Sequence, residues 1–372
     1  SDLKVWTAPP LRHRNVPVWL WSNRIREEPS TMEVKLIGLD IAKRVFQVHG
    51  VDEVGEALLV KRLRRDAVIP FFAALPPTPV AMEACATAHY WARELMALGH
   101  EVRLLPPRYV KSYVWRNKTD AADAAAICAA SRDPRIHGVP VKTADQQALL
   151  ALHRVRELLV RQRTTLGNAL RAHLAEFGIV APQGQAGLGR LREAIGDCEV
   201  LGVPDVARAA LEALAAQWSA LNDRIRELER AILRQHRADE TSRRLATIPG
   251  IGPITATALV ATIGDARNFK TGRHLAAWLG LTPREHASGL KRRQGAISKR
   301  GDAYLRRLLT LGAQSWLRHH KTSQGGADPW LTALQQRRPT PVAATALANK
   351  TARIAWAVMS RGETYRPRPT NS

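Results

Sequence analysis

Four carboxylates stand where acids could meet a phosphate. Asp40 closes the apolar run Val34-Lys35-Leu36-Ile37-Gly38-Leu39, Glu83 closes Val80-Ala81-Met82, and Asp120 and Asp123 open an Ala-rich helix. Two acids at strand ends joined by an Asp-x-x-Asp pair make a competent donor set for divalent ions about 3.5–4 Å apart, which clamp the oxygens of a phosphoryl transfer. Three residues apart at a helix start, Asp120 and Asp123 share one face, with Cβ atoms about 5–6 Å from each other. Each acid alone has a plainer explanation, because helix starts favour carboxylates through the dipole and an Asp between strand and turn is common. The plainer explanation must be invoked four times over to cover all of them.

The surroundings make such a gathering costly. Across 372 residues the chain carries 56 Lys+Arg against 33 Asp+Glu, a formal net charge of +23. A chain this basic attracts polyanions, nucleic acid first and a membrane surface second, and has little reason to group acids unless a divalent cation and a phosphate are to sit there. Hydrophobic content of 45% and charged content of 24% are ordinary for globular protein, so a folded chain of two or three units is expected. Cys85, Cys128 and Cys198 form no C-x-x-C pair. Neither a disulfide framework nor a thiolate zinc site is supported, and a reduced cytoplasmic setting is expected. No apolar stretch has membrane-spanning length, and the first 33 residues mix charge, Pro and Trp where a secretory signal needs an apolar centre.

The elements that must position the acids follow from the pattern. Leu36 to Asp40, Val45 to Val51 and Ala57 to Leu63 read as three short strands. A helix near residues 66–75, a strand at Val80 to Glu83, a helix near 88–98, a strand at Val102 to Leu105 and helices after Pro107 come next. Three antiparallel strands followed by alternating helix and strand is the order of a ribonuclease-H-like α/β sheet, in which ligands sit beyond the carboxyl ends of strands. Two long helical patterns follow. Leu149, Leu152, Val155, Leu159, Leu166, Leu170 and Leu174 mark one seam, and Leu211, Leu214, Trp218, Leu221, Ile225, Leu228 and Ile232 the other. With Pro182-Gln183-Gly184 and Gly187 to Gly189 between them, the spacing predicts an antiparallel coiled-coil arm, with two ordinary amphipathic helices as the alternative.

Ile248-Pro249-Gly250-Ile251-Gly252 leads into an apolar helix and resembles a helix-hairpin-helix element, in which backbone amides at Gly250 and Gly252 would approach a phosphate. A simple helix connection is the other reading. Further on, Lys291, Arg292, Arg293, Lys299, Arg300, Arg306 and Arg307 supply a phosphate-binding face on a stretch read as a loop held open by Gly289, Gly295 and Gly301. Ser288 and Ser298 lie in it, with His286 nearby. A serine attacks phosphorus only when its proton is accepted and the developing charge is held, and residue type alone does not separate either serine from an exposed loop serine.

Taken together, Gly38-Leu39-Asp40-Ile41-Ala42-Lys43, Met82-Glu83-Ala84, Asn117-Lys118-Thr119-Asp120-Ala121-Ala122-Asp123, Ile248 to Gly252, Ala277-Trp278-Leu279-Gly280-Leu281-Thr282-Pro283 and Ser298-Lys299-Arg300-Gly301-Asp302 resemble the transposases of the insertion sequence 110 family. The likeness runs over about residues 34 to 320. It implies a RuvC-like catalytic domain over 34–141, a coiled-coil arm over 142–240 and a helical transposase domain over 241–372, behind a disordered extension over 1–33. By position, Asp40, Glu83, Asp120 and Asp123 would bind Mg2+ and Ser288 would be the nucleophile, with Ser298 as the alternative. Lys118 joins Gly250, Gly252, Lys291, Arg292, Arg293, Lys299 and Arg300 as expected nucleic-acid contacts. The resemblance further implies an RNA-guided recombinase of the bacterial nucleoid, acting on donor and target DNA as a homodimer that assembles to a homotetramer. A RuvC-like nuclease without a covalent step and a nonenzymatic architectural DNA-binding protein are the competing readings.

Overall fold

The computed structural model describes residues 33–114, 119–196, 203–288, 291–320 and 329–366. Lys118 and Gly289 lie outside them, as does all but the last residue of the 1–33 extension. The chain divides into two compact units, Ser1–Val139 and Pro140–Ser372.

In the first unit, strands β1 (Leu36–Asp40), β2 (Val45–Val51), β3 (Ala57–Arg64), β4 (Val80–Glu83) and β5 (Val102–Leu105) form one sheet in the order β3-β2-β1-β4-β5. The first three are antiparallel neighbours, while β4 and β5 pair parallel to β1 and to each other. Helices α1 (Val68–Ala73), α2 (Ala88–Ala97), α3 (Pro107–Val110) and α4 (Asp120–Ser131) complete the unit. Side chains alternate between the faces of a sheet. One face carries Leu39, Phe46, Val48 and Met82, all buried with Phe72 of α1 and Trp91 and Leu95 of α2, and Phe46 meets Trp91 edge-on at 4.9 Å between ring centres. The other face carries Gly38 and Ala81 and is covered by α4, whose Ala126, Ile127 and Ala130 pack with Ala81 and Leu105.

The second unit is helical apart from one hairpin. It comprises α5 (Ala144–Ala175), α6 (Gln185–Gly196), α7 (Asp205–Ala238), α8 (Glu240–Leu245), α9 (Pro253–Ile263), α10 (Gly272–Trp278), β6 (Pro283–Ser288), β7 (Lys291–Ile297), α11 (Ala303–His320), α12 (Pro329–Arg337) and α13 (Thr340–Arg361). Helices α5 and α7 run antiparallel: Arg156 meets Glu229 at 2.6 Å, and seven residues later Arg163 meets Asn222, seven residues earlier, at 3.1 Å. Two expectations change here. The glycine-rich link between them holds a further helix, α6, whose Leu188 fills the space over Gly167 of α5, and Val155 is exposed rather than in a seam. The basic stretch read as an open loop is instead an antiparallel ladder, with Pro283 opposite Ile297 and Ser288 opposite Lys291. Glycine punctuation argued against a strand, and the alternation that would have revealed one is hidden because both faces are polar.

A buried polar cluster ties α5 to the rest of this unit. His153 is wholly buried, with Nδ1 3.0 Å from the Tyr304 hydroxyl and Nε2 3.1 Å from Thr257 Oγ1. Thr257 donates its own proton to the Pro253 carbonyl at 2.8 Å, so it accepts from His153 Nε2, and Nδ1 accepts from Tyr304. Burial, together with Arg156 and Arg154, pushes the imidazole down to about 4. An unfolded histidine titrates near about 6.5, so below that pH the unfolded chain takes the proton first. Stability is therefore full above about pH 6.5 and falls as pH drops toward 4, by up to about 3 kcal/mol from this residue. Denaturant unfolding at a series of pH values should show this slope, and His153→Gln should remove that part of it.

Candidate active site

Strand register brings the acids together. Leu39 of β1 is level with Met82 of β4, so the next residues, Asp40 and Glu83, end adjacent parallel strands on the same face. Neighbouring strands lie about 4.8 Å apart. That face is the one α4 covers. Thr119 caps α4, its hydroxyl accepting from the Ala122 amide at 3.1 Å, which starts the helix at Asp120 and turns Asp120 and Asp123 toward the ends of β1 and β4. The partial positive charge of the helix start favours both carboxylates.

Closeness of α4 to the sheet depends on Gly38. A Cβ there would lie 2.3 Å from the Ala124 carbonyl and 2.8 Å from Cys128 Sγ. The helix answers with small residues, Ala121, Ala122, Ala124, Ala125 and Ala126, along its length. The Gly-x-Asp spacing in β1 is thus a single device: the glycine admits the helix and the aspartate two residues on meets its acids.

The electrostatics report the encounter. The Asp40 carboxyl is raised to about 6, first by burial and then by Asp123, Asp120 and Glu83. Burial also raises the thiol of Cys85, with further contributions from Glu83 and Asp40. Among the described residues no three His, Cys, Asp or Glu side chains are drawn together at metal-holding distance. A shared divalent cation is what would draw like-charged groups such as these to coordinating distance. The donor set fits such an ion in kind, being all-carboxylate and half-exposed or exposed.

Other expected site residues belong to the second unit. Ser288 is exposed at the end of β6, and by alternation it shares a face of the hairpin with His286 and, across the ladder, Arg293. Lys291 and Arg292 open β7. Ser298 is half-buried in the turn before α11: its amide donates to the Thr282 carbonyl at 2.8 Å, and its hydroxyl accepts from the Arg300 amide at 3.4 Å. Lys299 and Arg300 are exposed in the same turn. Asp302 caps α11 by accepting from the Leu305 amide at 2.9 Å and lies 3.5 Å from Arg154. Two of the basic residues read as phosphate ligands are engaged internally. Arg306 donates to the Leu279 carbonyl at 2.9 Å, and Arg307 lies 3.1 Å from Glu157. Gly250 has φ +86°, and a Cβ there would press on the Gly312 backbone at 3.1 Å, so its place in the fold is explained by packing against α11. Open space surrounds the missing Cβ of Gly252, at the start of α9.

Two family models match this chain: a transposase domain over residues 37–179, and the transposase family IS116/IS110/IS902 over residues 242–326. A probable family 20 transposase of Pseudomonas aeruginosa is 50% identical over 90% of this chain and 100% of its own length. The transposase for insertion sequence element IS1328 of Yersinia enterocolitica is 42% identical over 89% of this chain and 98% of the relative. That for IS1111A of Coxiella burnetii is 38% identical over 91% and 93%. The five-stranded sheet with its acidic face defines a nuclease-like α/β domain of the kind that uses divalent metal ions for work on DNA. The chain belongs to the IS116/IS110/IS902 family of transposases, enzymes that cleave and recombine DNA. Among the described residues no helix is long and apolar enough to cross a membrane.

Gly38→Ala should separate α4 from β1. A shift of this kind costs about 1–3 kcal/mol. The expected outcome is a lower denaturation midpoint together with loss of DNA cleavage, measured by urea unfolding and a strand-nicking assay.

Proposed function

We propose that the chain is an Mg2+-dependent, RNA-guided DNA recombinase in which Ser288 becomes covalently joined to DNA. The observation that carries the reading is the common face of Asp40, Glu83, Asp120 and Asp123, with the Asp40 carboxyl raised to about 6 by burial first and then by its three acidic neighbours. Bound Mg2+ would supply charge neutralisation at the scissile phosphate. Asp40 and Glu83 fix the ends of two strands as donors, and Asp120 and Asp123 complete the set from the helix. The Ser288 hydroxyl attacks phosphorus, forming a serine–phosphate bond to the 5′ end and breaking the bond to the 3′ oxygen. The serine proton ends on that 3′ hydroxyl. Attack by a different 3′ hydroxyl reverses the step and exchanges strands. Arg293 shares the serine's side of the hairpin and is suited to hold charge on the phosphate.

Residues 34–141 are then the catalytic domain, 142–240 the arm and 241–372 the transposase domain that delivers the serine. Lys118, Gly252, Lys291, Arg292, Lys299 and Arg300 hold nucleic acid along its backbone, and Gly250 shapes the turn that presents Gly252. A net charge of +23 suits a protein that grips donor DNA, target DNA and a guide RNA at once. Exposed Val155 and Leu158 on α5 offer apolar surface for a second protomer, in keeping with a homodimer that pairs into a homotetramer.

Three variants separate the readings. Asp40→Asn should abolish cleavage in strand-nicking assays, by at least about 100-fold for loss of a metal ligand. Ser288→Ala should eliminate covalent protein–DNA adducts on denaturing gels, and persistence of adducts would move the nucleophile to Ser298, tested by Ser298→Ala. Full cleavage by Ser288→Ala without adducts would instead identify a hydrolytic nuclease. A single structured RNA among the nucleic acids co-purified with the chain is the result expected for guidance.

A further inference from the structure

The sheet register carries a residue beyond the four acids onto their face. Asp40 is level with Gln47 of β2, and Gln47 is level with Arg62 of β3, so the three form one row across the sheet. Gln47 is buried, whereas Arg62 on the edge strand is 69% exposed. Two strand spacings place the Arg62 backbone about 10 Å from that of Asp40. The arginine side chain leans back toward α4, bringing Nη2 to 4.0 Å from Asp120 Oδ2.

That contact is too long for a hydrogen bond, and Asp120 is 62% exposed. So solvated a pair adds little to stability. Its chemistry points elsewhere. A group of carboxylates repels the phosphates that flank a scissile bond, and a cation on the rim offsets this where the strand enters or leaves. A guanidinium presents a planar fork that two phosphate oxygens can accept from together. Arg64 lies two residues on and on the same side of β3, and exposed Lys43 and Arg44 occupy the β1–β2 turn at the same end of the sheet. By contrast Lys61, on the opposite side of β3, has its ammonium 5.2 Å from the centre of the Phe71 ring.

We propose that Arg62 is a DNA-binding residue of the acidic face, holding a backbone phosphate beside the one that is cleaved. This rests on the acidic face being the metal-dependent site proposed above. Arg62 positions the strand and takes no part in bond making.

The test uses the full chain and a fluorescein-labelled 40-base-pair duplex, with the dissociation constant measured at several salt concentrations for wild type, Arg62→Gln, Arg62→Lys and Lys61→Gln. Removing one phosphate contact should weaken binding by about fivefold to tenfold at about 0.1 M salt and reduce the salt slope by about 1. Arg62→Lys should recover only part of the affinity, since it keeps the charge and loses the fork, and Lys61→Gln should stay within about twofold of wild type. An unchanged affinity and slope in Arg62→Gln would overturn the proposal, as would an equal loss in Lys61→Gln. Calorimetric titration with Mn2+ distinguishes the two readings. If wild type takes up no Mn2+, the metal reading fails whatever Arg62 does. If Arg62→Gln alters only Mn2+ uptake, the arginine is a counter-ion to Asp120 and the proposal is overturned.

Discussion

Like charge held at close quarters is the constraint on which the first unit is built. Asp40, Glu83, Asp120 and Asp123 come from three separate stretches of chain, and burial together with the nearness of the other three raises Asp40 to about 6. Something else in the fold must offset that repulsion. The core on the opposite face of the sheet does so, with Phe46, Phe72, Trp91 and Leu95 all but fully buried behind the strands that carry two of the acids. The seat of α4 on Gly38 fixes the other two. Stability and chemistry are thus divided between the faces of one sheet: one is packed tightly so that the other can be kept unfavourable.

The second unit spends its polar groups differently. His153, Tyr304 and Thr257 satisfy one another in the interior, and Arg154, Glu157, Asp302 and Arg307 surround them with ion pairs. These residues link the first half of α5 to the start of α11, the helix that follows the β6–β7 hairpin. Their spacing in sequence, some 151 residues between His153 and Tyr304, carries no local signal.

Much of the first unit was legible because its information is local. Apolar runs of four to eight residues, each closed by an acid or a turn, gave all five strands with bounds close to those observed, and the strand order placed Asp40 and Glu83 at neighbouring ends. Asp120 and Asp123 were readable from the helix start that Thr119 caps. What the text concealed depends on register or on tertiary contact. Arg62 is one of two arginines in β3 until the pairing with Gln47 puts it in a row with Asp40. The β6–β7 ladder was missed because neither of its faces is apolar, so the twofold period that betrays a strand has nothing to alternate. Helix α6 was masked by glycines that usually break helices; a Cβ at Gly187 would meet the Pro182 carbonyl and one at Gly189 only open space, while the close approach to α5 is made at Gly167 of α5, under Leu188.

That hairpin has a consequence of its own. A ribbon of two strands is at the margin of what water allows to persist unaided, and β6 and β7 expose nearly every described side chain to solvent. On the proposed assignment, the attacking oxygen rides on a solvent-exposed ribbon whose aim would be set by what it is pressed against. On that assignment the arrangement would work as a built-in safeguard: a nucleophile on a ribbon of this kind would stay unaimed until DNA and the other parts of the proposed machine were put together.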